Sequence, residues 1–176
     1  MKEHIILSPT LNGNELLKNL AWHGVNCINT RVVTGPELAR IALMRSGKSV
    51  TEAFVDSRDE VAIVAEVVEA VPYFRTTSYS DVRNLASAIK RMRCLVASSD
   101  ESSVLKDTLF SEDVFIEKNE ALLVVYDHYM QKIREMNGID SVMLIRKAIA
   151  ECSAFDAEFY SLEEFQCNPL EQALLA

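Results

Sequence analysis

The chain has 176 residues, of which 49% are hydrophobic and 25% are charged, a composition typical of a globular protein rather than a disordered one. Its 18 basic and 26 acidic residues give a net charge of −8, which disfavours broad attraction to nucleic acid or anionic membranes but allows a local basic face. No apolar run approaches the roughly 18 residues of a membrane span, and residues 5–7 are too few for a signal-peptide core. We therefore expect a cytoplasmic protein with no membrane partner.

The front third of the chain predicts a βαβα unit. The continuous apolar residues 5–7 are typical of a strand that is covered on both faces, and residues 25–33 are rich in β-branched side chains and predict a second strand. The helix after that strand begins with a capping box, in which Thr34 is followed three residues later by Glu37, and it ends near Gly47. Alternating strands and helices indicate parallel strands joined by right-handed crossovers, as in nucleotide-binding sheets.

The middle of the chain predicts three helices with apolar stripes, and such stripes favour a small packed bundle. Ser57 is predicted to cap a valine-rich helix, a second helix starts at Ser78 or Ser80, and the strongest helix covers residues 117–136. Trp22 and the tyrosines of the strongest helix are expected in the core. Shorter elements are predicted at residues 105–110, after Asp140, at residues 157–162 and from Pro169 onward.

The cysteines and histidines give no sign of catalysis or metal binding. The cysteines at positions 27, 94, 152 and 167 have no C-x-x-C pair and no histidine at ligand spacing, so we expect reduced thiols rather than a zinc site. The three histidines are far apart in the sequence, with no nucleophile beside them. The sequence therefore predicts no catalytic residues, no metal and no cofactor.

Gly47, Lys48 and Ser49 match the second half of a phosphate-binding P-loop, in which the lysine contacts the terminal phosphates and the hydroxyl holds magnesium. The full motif needs a glycine five positions earlier, where this chain has Ala42. It also needs a strand before the loop, whereas a helix is predicted there. We interpret the string as a helix C-cap followed by a solvated lysine, and not as a nucleotide-binding site.

Four cations stand out on the second helix of the middle region, and they are the candidate nucleic-acid contacts: Arg83, Lys90, Arg91 and Arg93. The functional interpretation is contact with backbone phosphates. The competing interpretation is a solvated helix face whose long stems cover apolar surface, and the lack of aromatic stacking partners nearby favours it.

Several segments in the front third resemble superfamily I helicases. Residues 5–10, Ile-Ile-Leu-Ser-Pro-Thr, are similar to the strand and loop that follow the P-loop helix of those motors. Residues 34–39, Thr-Gly-Pro-Glu-Leu-Ala, and the helix that they begin resemble the T-x-x-E-L-A helix of the first motor domain.

The rest of the chain extends this resemblance. The basic helix ending at residues 90–93, the helix of residues 117–136 and the helix after it resemble the inserted helical subdomain of these motors. Residues 162–165 and 169–171 are similar to the segment that leads onward in relatives of the B subunit of AddAB-type helicase–nucleases. In those proteins an inactivated helicase-like region precedes a PD-(D/E)XK nuclease domain.

The resemblance implies a helix-rich α/β fold with a small parallel sheet of the helicase motor, P-loop NTPase-like type. The α/β core would comprise residues 1–71 and 153–176, and a helical insertion would comprise residues 72–152. No Gly-Lys-Thr loop precedes the first strand, and the chain has no Asp-Glu magnesium motif and no Pro-Asp…Glu-x-Lys motif. The resemblance thus implies a scaffold without ATP hydrolysis or nuclease chemistry.

The partners implied by the resemblance are DNA and a helicase–nuclease partner subunit, and the implied role is recombinational DNA repair. Because the last apolar helix has no stop signal, we also expect a segment of a longer protein, with any nuclease beyond Ala176. One alternative is a protein-interaction scaffold with an exposed apolar patch at Leu170, Leu174 and Leu175, which the acidic net charge favours. Another is an enzyme that binds a nucleotide at Gly47.

Overall fold

The computed structural model describes residues 2–9, 12–75, 77–97, 101–111, 114–152, 156–161 and 166–176. The predicted residues Thr10 and 162–165 lie outside them. The chain is a helix-rich α/β protein with a small parallel sheet. In chain order its elements are β1 (Glu3–Leu7), α1 (Gly13–Trp22), β2 (Thr30–Val33), α2 (Gly35–Arg45), β3 (Ala53–Phe54), α3 (Ser57–Glu69), a 3-10 turn (Pro72–Phe74), α4 (Tyr79–Leu95), α5 (Glu101–Leu109), α6 (Ile116–Glu135), β4 (Gly138–Ile139), α7 (Ser141–Glu151), β5 (Ala157–Ser161) and α8 (Pro169–Leu175).

The chain divides into two compact units, one formed by Met1–Val50 with Leu144–Ala176 and the other by Thr51–Met143. The predicted boundaries at residues 71 and 153 differ from this division. Helix α3 belongs to the second unit because its valine face packs against α4 and α6, and most of α7 belongs to the first unit.

The first unit contains a three-stranded sheet in the order β2-β1-β5, with all strands parallel. Ile5 pairs with Arg31 on one side and with Phe159 on the other, so β1 is the central strand. The predicted parallel pairing of the first two strands is confirmed, and so is the return of the tail to the sheet.

One face of this sheet forms the core of the first unit. Ile5 and Leu7 of β1 point to the same face because side chains alternate along a strand, and they pack with Leu38 of α2. Leu174 and Leu175 of α8 pack against this cluster, and Leu170 is fully buried. Because Leu170 is buried and Leu174 and Leu175 are half-buried, these three leucines do not form the exposed apolar patch that would support an interaction scaffold.

Two details of the first unit correct the sequence analysis. β2 is shorter than residues 25–33, because the Asn26 side chain accepts a hydrogen bond from the Ile28 N–H at 3.0 Å and Asn29 is left-handed with a φ of 61°. Such a turn interrupts an extended strand. Trp22 is 90% exposed rather than buried, because α1 contributes no buried residue and Trp22 is its last position.

The second unit is held by a larger core that α3, α4 and α6 share. Val64 and Val67 of α3 pack with Ile89 of α4 and with Val125 and Ile133 of α6. The three predicted helices are confirmed, and the tyrosines at positions 126 and 129 of α6 are buried as expected. Gly138, which follows the end of α6, pairs with Ala53 in the short parallel pair β3–β4.

The start of α3 differs by one residue from the prediction. The Asp56 carboxylate accepts hydrogen bonds from the backbone N–H groups of Arg58 at 2.7 Å and Asp59 at 3.0 Å, so Asp56 caps the helix and not Ser57. These two hydrogen bonds hold the pKa of Asp56 below its ordinary value.

Among the described residues, no helix is long and apolar enough to cross a membrane.

Candidate nucleic-acid interface

The four cations predicted as nucleic-acid contacts lie on different faces of α4. Val82, Ala86, Ile89 and Arg93 form its buried face, at the three- and four-residue spacing of a helix. Arg83 and Lys90 are seven residues apart and therefore lie above one another on another face. The structure thus keeps Arg83 and Lys90 together and separates Arg93 from them.

A groove of about 370 Å³ runs between the first turns of α3 and the part of α4 from Tyr79 to Lys90. We call it the α3–α4 groove, and its lining consists of Ser57, Arg58, Glu60, Val61, Tyr79, Arg83, Ala86, Ser87 and Lys90. Three of these side chains are cationic and one is a carboxylate, which gives a net charge of +2. This is a local basic surface in a chain whose net charge is −8.

Two helix caps position the cations of the groove. Ser78, one of the two residues predicted to start α4, caps the helix, and its hydroxyl accepts a hydrogen bond from the Asp81 N–H at 3.3 Å. The Asp56 cap fixes the first turn of α3, from which Arg58 faces the groove. Arg58 was missed in the sequence analysis, because it lies 25 residues before Arg83 and only the packing of α3 on α4 brings the two together.

Tyr79 supplies an aromatic ring at the edge of the groove. It is 70% exposed and lies four residues before Arg83, so the two side chains are neighbours on α4. The expectation that the basic helix lacks an aromatic partner nearby is therefore wrong. The i, i+4 spacing of Tyr79 and Arg83 was the signal that could have identified it.

Lys90 is held at the inner end of the groove by a carboxylate. Its Nζ lies 3.1 and 3.3 Å from the two carboxylate oxygens of Glu60. Glu60 is only 7% exposed, whereas the Lys90 side chain keeps 38% of its surface in solvent. Burial raises the pKa of Glu60 above its ordinary value, and the positive charge of Lys90 opposes that rise.

Arg93 is not part of an exposed basic face. It is 1% exposed, its Nε donates to the Glu101 carboxylate at 2.5 Å, and its guanidinium also donates to Asp140. The guanidinium lies 5.7 Å from the centre of the Tyr129 ring. The prediction of Arg93 as a phosphate contact is therefore wrong, because its charge is buried and neutralised inside the second unit.

The ion pairs of Arg93 form a network behind the groove. Tyr129 donates its hydroxyl to Asp140 at 2.9 Å, and Asp140 also accepts the Met143 N–H at 2.8 Å as the cap of α7. Burial alone would raise the pKa of Asp140, but the charge and hydrogen bond of Arg93 hold it below its ordinary value. Burial and the Asp140 charge together raise the pKa of Tyr129. The network is a structural centre, since every one of these groups is turned inward.

Arg91 and the P-loop-like segment at Gly47 both lie outside the groove. Arg91 is exposed on α4 but does not line the groove, and no ion pair of Arg91 is found within the described residues. Gly47 lies at the C-terminus of α2 with a φ of 67°, and its N–H bonds to the Met44 carbonyl. The Lys48 N–H bonds to the Leu43 carbonyl at 2.9 Å, so this segment is a helix cap in which both backbone donors are used.

No cluster of histidine, cysteine, aspartate or glutamate side chains that could hold a metal ion occurs in the part of the chain that the structure describes. The arrangement of the groove, with three cations, two serine hydroxyls and an exposed ring, suits binding of an extended anion.

No model of a known protein family matches the sequence, and no curated protein matches it either.

Proposed function

We propose that the chain is a noncatalytic, helicase-like scaffold of a DNA-repair nuclease and that it contacts DNA through the α3–α4 groove. The main observation behind the proposal is the net charge of +2 in the groove, within a chain of net charge −8. In such a protein a local excess of cations favours a polyanionic partner at one surface while the rest repels it. A helicase–nuclease partner subunit completes the proposed assembly.

The groove offers each part of a nucleotide a suitable contact. Arg58 and Arg83 present planar guanidinium groups that can bind phosphate oxygens in pairs, and Lys90 adds a point charge. The exposed ring of Tyr79 can stack on an unpaired base. Because these contacts depend on backbone charge and stacking, we expect binding with little sequence preference.

The test is an anisotropy titration of a labelled oligothymidylate at low salt, comparing wild type with Arg83→Glu and Arg91→Glu. Both substitutions reverse one charge on α4, but only Arg83 lines the groove. We expect Arg83→Glu to weaken binding by about tenfold, equivalent to about 1.4 kcal/mol, and Arg91→Glu to remain close to wild type. Equally weak binding by all three proteins would remove the groove as a DNA contact.

A protein-interaction scaffold with no nucleic-acid role is the second candidate function. The observation that favours it lies in the first unit, where Trp22 is 90% and Ile28 is 65% exposed. Contiguous exposed apolar side chains are typical of surfaces that contact another protein, whereas single ones are common on any surface, so the deciding observation is whether Trp22 becomes buried when a partner binds. Trp22 is the single tryptophan of the chain, so its fluorescence reports on this surface alone.

The two candidates give different results in one pair of measurements. If the chain is an interaction scaffold with no nucleic-acid role, oligonucleotide binding is absent at every salt concentration, and a partner protein that covers Trp22 shifts its emission to shorter wavelength. If the chain is a DNA contact, oligonucleotide binding is present and depends on Arg83. A Trp22→Phe variant is the control for the fluorescence signal.

A further inference from the structure

The α3–α4 groove contains one carboxylate, and its position is unusual for an anion-binding surface. Glu60 lies at the inner end of the groove, where it also lines a small internal cavity with Arg93 and Tyr129. Both of its carboxylate oxygens lie within 3.3 Å of the Lys90 Nζ. A phosphate that enters the groove must therefore compete with Glu60 for Lys90.

We propose that Glu60 is a proton-linked regulator of the groove, so that binding of a polyanion to Lys90 is coupled to uptake of one proton by the Glu60 carboxylate. This inference rests on the proposed function of the groove. In the free protein Lys90 neutralises Glu60. When Lys90 turns to a phosphate oxygen, the carboxylate loses its counter-charge and gains a negative neighbour, and a proton from water then restores neutrality.

The surroundings of Glu60 favour this coupling. Lys90 and Arg93 face it from α4, Tyr129 faces it from α6, and Asp140 adds a negative charge from the start of α7. Arg93 is already engaged by Glu101 and Asp140, so Lys90 is the cation that pairs with Glu60 most directly. Burial raises the pKa of Glu60 even in the free protein, which brings protonation closer to neutral pH.

The sign of the pH dependence follows from linkage. A ligand that raises the pKa of a group binds more tightly as the pH falls, and uptake of one proton gives at most about a tenfold change per pH unit. The window lies between the already raised pKa of Glu60 in the free protein and its higher pKa in the complex. We therefore expect the affinity for a polyanion to increase as the pH is lowered from 8 to 5.

The experiment measures the affinity of a labelled oligothymidylate between pH 5 and pH 8 at constant ionic strength. Thymine and the phosphodiester have no group that titrates in this range, so the slope reports on the protein. The variants are Glu60→Gln and Glu66→Gln, which remove one negative charge each from α3. Glu66 is exposed, pairs with Lys132 and does not line the groove, so it is the matched control.

We expect wild type and Glu66→Gln to bind more tightly as the pH falls, with parallel slopes. Glu60→Gln should bind roughly tenfold more tightly than wild type at pH 7.5, because it forms the complex without taking up a proton, and it should show little remaining slope. The three histidines of the chain are unchanged in all three proteins, and none of them lines the groove. The wild-type slope needs no substitution, so it tests the inference even if a variant folds poorly.

The possible failures are distinguishable. Binding that depends on Arg83 but has the same pH slope in wild type and Glu60→Gln would overturn the role of Glu60 and leave the proposed function intact. Equal affinities of Glu60→Gln and Glu66→Gln for the oligothymidylate would also overturn the role of Glu60 and leave the proposed function intact. No binding of the oligothymidylate at any pH would overturn both the proposed function and this inference.

Discussion

Arg83 and Arg93 lie ten residues apart on α4, and they occupy opposite environments. Arg93 is buried between Glu101 and Asp140, whereas Arg83 is exposed in a groove that contains more cations than carboxylates. A buried guanidinium is tolerated only where carboxylates neutralise it, and at 1% exposure Arg93 is out of reach of a ligand in solution. The same residue type on one helix thus stabilises the fold at one position and is available to an anion at the other.

The largest effect that the comparison predicts is loss of stability on replacing the buried cation. Arg93→Met removes the partner of two buried carboxylates, and breaking such a pair costs about 3–5 kcal/mol. The measurement is urea unfolding followed by circular dichroism. Arg91→Met is the control on the same helix, and because Arg91 is exposed we expect its midpoint to stay near that of wild type. Equal midpoints for the two variants would contradict the structural role of Arg93.

A smaller effect is expected for the hydroxyl that supports the network. Tyr129→Phe removes the hydrogen bond to Asp140 at 2.9 Å without changing the packing of the ring. A hydrogen bond to a charged group contributes about 1.5–3 kcal/mol, so the free energy of unfolding should fall by that amount. Tyr73→Phe, at an exposed tyrosine of the same unit, should leave it unchanged. A Tyr129→Phe protein as stable as wild type would show that the network does not depend on this donor.

The role of the exposed α3–α4 groove is tested by measuring binding rather than stability. Tyr79→Ala should weaken binding of a single-stranded oligonucleotide by about 1–3 kcal/mol, the usual contribution of one base stacked on an aromatic ring. The Tyr79 variant should bind duplex DNA as wild type does, because duplex bases are not free to stack. Tyr73→Ala removes an exposed ring that does not line the groove. Equal losses for the two variants would mean that Tyr79 is not a stacking platform.

The comparison also shows which features could be predicted from the sequence. Elements fixed by local chemistry were predictable: the continuous apolar residues of β1, the Thr34–Glu37 box of α2, and the three- and four-residue spacing of α3, α4 and α6. The Thr34 N–H donates to the Glu37 carboxylate at 2.9 Å, as the pattern predicts. The spacing of apolar residues also predicted the buried face of α4. It did not show that Arg93, a charged residue, lies on that same buried face.

Features that depend on contacts distant in sequence were not predictable. Arg93 faces inward because Asp140, which is 47 residues away, arrives beside it through the chain path of α6 and β4. Arg58 joins the groove only because α3 packs on α4. Trp22 was expected in the core from its size and hydrophobicity, but α1 contributes no buried residue. In each case the side chain's role is set by packing that its own segment does not encode.

The last prediction concerns the pH dependence of stability at two carboxylates with opposite pKa shifts. The Asp140 pKa lies below its ordinary value of 3.8, so its ionised form stabilises the fold at neutral pH and this contribution is lost as the pH falls through the lowered pKa. The Glu60 pKa lies above its ordinary value of 4.5, so its ionised form costs stability, and the cost develops as the pH rises from 4.5 through the raised pKa. The two substitutions should therefore have opposite signs.

Urea midpoints measured from pH 4 to pH 8 test this pair. Asp140→Asn should unfold at lower urea than wild type at pH 7, and its deficit should shrink only in the most acidic samples. Glu60→Gln should unfold at equal or higher urea than wild type at pH 8, and its gain should vanish as the pH approaches 4.5, the ordinary pKa of glutamate. Glu66→Gln, which removes an exposed charge, should follow wild type throughout. A Glu60→Gln protein that is less stable than wild type at pH 8 would show that the Lys90 pair outweighs the burial of Glu60, and the inner end of the groove would then resemble the Arg93 network rather than differ from it.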